Sequence, residues 1–134
     1  MDVNIVLDAL QAREPWRADA EALWAACDAR RLSGHLAAIT ITTVFYIVGK
    51  AAPHDKAFDA VDVCLKAFEI VPVSAETLAA ARALPGADFE DNVQIACAIA
   101  AGTEVIVTRN REDFAASPIP VMSPKELLAA LPQP

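Results

Sequence analysis

Glu104-Val-Ile-Val-Thr108 runs straight into Arg109-Asn-Arg-Glu-Asp113-Phe114, and this junction decides the fold. The Val-Ile-Val centre is apolar and β-branched, as a buried strand requires. The polar residues behind it stand where a parallel α/β sheet gathers its ligands, at the carboxyl end of a strand. Working outward, the stretch from Asp88 to Ala101 reads as a helix ended by Gly102, which suits a left-handed cap. Ile119 to Met122 is a last short strand, and Ser123-Pro-Lys-Glu-Leu127 opens a final helix. Upstream, Ser74-Ala-Glu-Thr77 starts a helix that stops near Pro85-Gly86, and Phe68 to Val73 is a strand. Leu36 to Thr40 is another strand, followed by helices from Thr42 to Lys50 and from Pro53 to Ala67. Ile5 to Leu10 and Asp19 to Arg31 complete the helical segments. Strands alternating with crossover helices predict a three-layer α/β/α domain with a central parallel sheet.

Such a sheet wants a strand before its first helix, yet only Met1 to Asn4 are available. The expectation is a shortened first strand, either very short or lacking three to five upstream residues. The whole chain, 1–134, reads as a single domain, with no repeat and no linker long enough to divide it.

Composition narrows the classes. The 134 residues are 55% hydrophobic and 22% charged, which excludes a disordered chain. No apolar run reaches the ~18 residues a membrane span needs, and the first residues are acidic where a signal peptide is basic. Cys27, Cys64 and Cys97 are widely spaced among aliphatics, so they read as buried thiols of a cytoplasmic protein. Net charge is −7, which argues against a protein that coats nucleic acid. It leaves room for acids gathered around a divalent cation, because the metal reverses the local field.

Three acidic placements are the candidates. Asp2 and Asn4 lie where the first strand hands over to its helix. Asp88 and Asp91 are three apart at the opening of a helix and so share a side of its first turn. Asn110 and Asp113 follow the Glu104–Thr108 strand. Oxygen ligands converging at one sheet edge suit a hard cation such as Mg²⁺ or Mn²⁺.

Asp2-Val-Asn4-Ile-Val-Leu-Asp8, Asp88-Phe-Glu-Asp91 and Thr108-Arg-Asn110-Arg-Glu-Asp113-Phe114 resemble, in order and spacing, three motifs of the PIN domain. That family is known for metal-dependent ribonucleases acting on single-stranded RNA, including VapC-type toxins of toxin–antitoxin modules. The resemblance runs from Asp2 to about Met122, and its third motif is the most specific. It implies that Asp2, Asp91 and Asp113 are catalytic and metal-binding carboxylates, with Asp88 as a further metal ligand. Asn4, Thr108 and Asn110 would support the loops, and Arg109 and Arg111 would contact the RNA backbone. The implied reaction is attack of metal-activated water on a phosphodiester. An antitoxin partner and a homodimer are also implied.

The sequence departs from the family at one place. Most active members carry a glutamate in a motif like T-x-x-E-L, whereas here Thr40-Ile-Thr-Thr43-Val-Phe45 puts Thr43 at the acid's position. A hydroxyl offers a neutral oxygen and no charge. A PIN-like module that binds RNA or protein without cleaving therefore stands as the alternative.

Each residue also has a plain structural reading. Asp88 and Asp91 meet a helix macrodipole favourably without any function, and Asn110 and Asp113 are ordinary turn residues. Asp8 reads as an exposed helix residue, Trp16 and Trp24 as core, and Thr43 as a helix-start or packing residue. His35 and His54 have no metal-ligand spacing. A receiver-like phosphoacceptor domain needs an aspartate at a central strand end and a lysine after a later strand, and the ends here carry neither. A nucleotide-binding Rossmann domain lacks its glycine loop. Both are set aside.

Overall fold

A computed structural model describes residues 1–133. Helix α1 covers Val3–Leu10 and α2 Arg17–Asp28, then strand β1 His35–Ala37 leads into α3, Ala38–Ala51. Helix α4, His54–Ala67, precedes β2, Glu69–Val71, and α5, Ala75–Ala83. Helix α6 is Phe89–Ala100, followed by β3, Ile106–Val107, a 3-10 turn at Arg111–Phe114, β4, Val121–Met122, and α7, Pro124–Ala130. All strand pairing is parallel, as expected of an α/β domain, with β1 against β2 and β3 against β4. Among the described residues no helix is long and apolar enough to cross a membrane.

The expected central sheet is divided into two two-stranded halves. Among the described residues, Met1 and Asp2 hydrogen-bond to one strand of each half. The Met1 ammonium donates to His35 O at 2.9 Å, and Asp2 N donates to Val107 O at 2.9 Å. The backbone of these two residues thus bridges β1 and β3, and Asp2 is extended before α1 begins.

Every strand is shorter than its sequence expectation, for local reasons. The strand from Leu36 to Thr40 yields to α3 after Ala37. Thr42 and Thr43 both turn their hydroxyls back to Ile39 O, at 2.8 and 3.1 Å, so both hydroxyls find their partner within the helix. Pro72 follows β2 directly and cannot donate to a ladder. Of Glu104 to Thr108 only Ile106 and Val107 stand in the ladder, because β4 is itself two residues long.

The helices end and begin as their sequences dictate. Ser74 and Ser123 each make a capping box at the start of α5 and α7. Gly102 takes φ +66° just past α6, a left-handed conformation that favours glycine. The core packs α1, α3 and α4 around Val6, Leu7, Leu36, Val44 and Cys64. A second cluster ties α6 to β3 through Ile95, Ile106 and Phe114. All three cysteines are buried and free.

Two packing expectations are corrected. Trp24 does pack inside, edge-on to Phe68 with ring centroids 4.8 Å apart. Trp16, expected in the core, is 42% exposed, because α2 starts only after it and its ring lies on the surface under Arg109. Asp8, expected in solvent, is fully buried.

Candidate functional site

Asp2 is the residue immediately before α1 and is 4% exposed. Thr108, at the end of β3 and itself buried, donates its hydroxyl to Asp2 Oδ2 at 2.9 Å. The same hydroxyl accepts the amide of Asn110 at 3.1 Å. One threonine therefore fixes both the carboxylate of α1 and the turn that leads to Asp113. Burial pushes the Asp2 carboxyl above its ordinary value, against smaller charge-favouring effects of Thr108, the Met1 ammonium and the amides of Asn4 and Val3. The Met1 ammonium is pushed down by the same burial.

Asp88 is the N-cap of α6, and its Oδ1 accepts the Asp91 amide at 3.0 Å. This capping bond occupies one of the two Asp88 oxygens that the metal assignment needs. Asp91 stands in the first turn of α6 with its carboxyl raised to about 6. Burial is the largest cause, and the negative charges of Asp88, Asp113, Asp2 and Glu90 add to it in that order. Acids from the N-terminus of α1, the start of α6 and the turn after β3 thus repel one another at one place. No ion pair reaches Asp2, Asp88, Asp91 or Asp113 among the described residues.

The donor set is all oxygen and carries excess negative charge, which fits a hard divalent cation. It is not a closed cage: among the described residues no three His, Cys, Asp or Glu side chains form a ready-made metal group. An open arrangement suits Mg²⁺, which keeps several of its waters. Asp113 is exposed on its 3-10 turn, and its amide donates to Asn110 O at 3.1 Å. Asn4 is half-buried on α1, and Thr43, half-buried on α3, spends its hydrogen on Ile39 O.

Both arginines that flank Asn110 are paired within the chain. Arg109 Nε donates to Asp8 Oδ2 at 2.9 Å and Nη2 to Asp8 Oδ1 at 3.3 Å. Its guanidinium also lies 3.8 Å from the Trp16 ring centroid. Arg111 is paired with Glu126 of α7. Sequence reading missed the latch of Asp8, Arg109 and Trp16. The signal was a carboxylate on the apolar stretch Ile5-Val-Leu-Asp8, a place where an acid is seldom left without a partner.

A family model described as the PIN domain matches residues 1–112. The fold is similar to a chain in the crystal structure of VapBC2 from Rickettsia felis bound to a DNA fragment from their promoter. That likeness has a TM-score of 0.68 at 18% identity, covering 91% of this chain and 95% of that one. No curated protein sequence matches.

Proposed function

The chain belongs to the PIN-domain family, and on that premise we propose that it is a metal-dependent endoribonuclease cleaving single-stranded RNA, the toxin of a type II toxin–antitoxin pair. The observation that carries this reading is the raised Asp91 carboxyl, held up by burial and by Asp88, Asp113 and Asp2 together. Residues with strongly perturbed ionisation, set against specific partners, mark functional sites more often than chance. Asp2, Asp91 and Asp113 would hold Mg²⁺ or Mn²⁺, with Asp88 contributing its uncapped oxygen. When bound, the cation supplies the Lewis acid that activates water and neutralises charge growing on the phosphate.

The chain's own residues do the rest. Thr108 hydrogen-bonds both the Asp2 carboxylate and the Asn110 amide, so Asp2 and the turn toward Asp113 would be positioned before a cation arrived. The Asp8–Arg109 pair ties the turn after β3 to α1. Arg111, on the exposed side, is the residue that would exchange Glu126 for an RNA phosphate. Exposed Tyr46 and Phe58 on α3 and α4 support a protein partner or a homodimer, and the likeness to a VapBC2 chain supports an antitoxin. Action in the cytoplasm belongs to the same reading.

A second reading has an observation of its own. Thr43 replaces an acid and its hydroxyl faces its own helix backbone, which favours a module that binds without cleaving. Incubation of a mixed single-stranded RNA panel with Mg²⁺ or Mn²⁺ decides between them. Cutting that EDTA abolishes supports the nuclease. A folded protein that cuts nothing under any of these conditions overturns it in favour of the second reading.

A further inference from the structure

Arg109 stands between two residues that tie the acidic site together. Thr108 reaches Asp2 with its hydroxyl, and the Asn110 amide reaches the same hydroxyl. The Arg109 side chain leaves this turn toward Asp8, to which it donates from both Nε and Nη2. Its guanidinium carbon then lies over the Trp16 ring, 3.8 Å from the centroid. Asp8 is fully buried on α1, so it anchors the guanidinium, and the guanidinium in turn backs the indole.

Trp16 is nonetheless 42% exposed, and the face under Arg109 cannot supply that exposure. It falls on the rim and the opposite face of the ring. The surroundings are polar. Arg13 approaches the same Asp8 carboxylate at 3.9 Å, so two guanidiniums share one negative charge beside the indole. Arg17, next in sequence, is paired with Glu21, and Glu14 also acts on it. The other exposed large hydrophobic side chains lie from Tyr46 onward, none of them in the α1–α2 loop or the turn after β3. An indole that stands alone among charged groups offers a π-face, not an apolar patch, which favours a planar ligand over an apolar protein surface.

We propose that Trp16 is a stacking platform for one nucleobase of the single strand, beside the acidic site. The base would complete a stack of guanidinium, indole and base. Every base has a π-face, so such a contact is tolerant of sequence, and the cation on the far side holds the indole by its own attraction. Because Asp8 and Arg109 already fix the ring, little freedom is lost when the base arrives. The proposal rests on the nuclease reading for its ligand. It gives Trp16 a positioning role, setting which phosphate stands beside Asp2, Asp91 and Asp113.

Fluorescence anisotropy tests it with two labelled probes of about ten nucleotides. One is a mixed single-stranded RNA and the other the same ribose-phosphate backbone without bases, both in Ca²⁺ to slow any cutting. Trp16→Leu should bind the RNA about tenfold more weakly than the parent and the base-free probe equally well. Trp16→Phe keeps an aromatic face and should recover most of the loss. RNA should also quench the parent's tryptophan emission, and the quench should vanish in Trp16→Phe, whose remaining Trp24 packs against Phe68. This second measurement stands even if Trp16→Leu fails to fold.

Equal RNA affinity in the parent and a folded Trp16→Leu would overturn the platform and leave the nuclease reading intact. So would an equal loss on both probes, which would mean that Trp16 acts only by bracing Arg109, or an emission that RNA leaves unchanged. A folded parent that binds no RNA would overturn the platform together with the reading on which it rests.

Discussion

Thr108 donates its hydroxyl to Asp2 across 106 positions of sequence, Oγ1 to Oδ2 at 2.9 Å, with both side chains buried. The bond joins the end of β3 to the start of α1, so the first carboxylate of the site and the turn carrying the last are fixed by one group. It also gives the buried Asp2 a donor that water cannot supply there.

Replacing Thr108 with valine keeps the shape and removes that donor. Asp2 Oδ2 is left buried without its partner, and Asn110 N loses its acceptor. Thr108→Val should destabilise the fold by about 1–3 kcal/mol. Urea denaturation at neutral pH measures it, and a loss below a few tenths would mean that the bond is incidental.

Arg109 is predicted to act through stability before it acts on any nucleic acid. Its removal leaves the Asp8 carboxylate inside the protein with only Arg13 nearby, at 3.9 Å. Arg109→Ala should cost about 3 kcal/mol, the lower end for a buried pair that loses one member. Arg111→Ala, at an exposed pair, should cost under about 1 kcal/mol and should weaken RNA binding instead. If the two variants unfold at the same urea concentration, the latch has been misassigned.

The pH dependence has a definite sign. Asp91 stands at about 6 in the folded chain against an ordinary 3.8. Between those values the folded state holds a proton that the unfolded state has released, so this group's stabilisation is present in acid and is lost as pH rises toward about 6. Metal-free protein should therefore lose stability over that window, and Asp91→Asn should flatten the slope. At neutral pH the variant should be more stable by on the order of 1 kcal/mol once screening by solvent is discounted. Thermal melts at about pH 4.5 and pH 7 in EDTA report both effects. An unchanged slope in the variant would place the repulsion elsewhere.

Gly34 lies where the chain enters β1, and a Cβ there would meet Cys27 Sγ and Phe68 Cδ1, each at 2.7 Å. Both neighbours are buried core atoms. Gly34→Ala should destabilise by about 1–3 kcal/mol through overpacking, visible as a lower Tm with no change in cation affinity. A variant as stable as the parent would show that the core beside β1 yields freely.

The α/β class and the order of elements were legible because helix starts, proline breaks and the Val105-Ile-Val107 run are local signals. Strand lengths were not, since they depend on neighbours: β3 has β4 on one side and only Asp2 on the other. The acids at Asp2, Asp91 and Asp113 could be placed at element ends from sequence alone. Their mutual influence could not, because Asp88 is both a cap and a neighbouring charge. Asp8 was misread for a related reason. Helical periodicity says which face a residue occupies but not that an arginine 101 positions away will meet it there.

The central claim is that Asp2, Asp91 and Asp113 act as one cation site, and a calorimetric Mn²⁺ titration of the parent chain beside Asp91→Asn tests it most directly. The parent should bind Mn²⁺ at pH 7 and more weakly near pH 5, where Asp91 must first lose its proton. Asp91→Asn should lower the affinity at pH 7 at least tenfold while remaining folded. The same affinity in both proteins would contradict the claim.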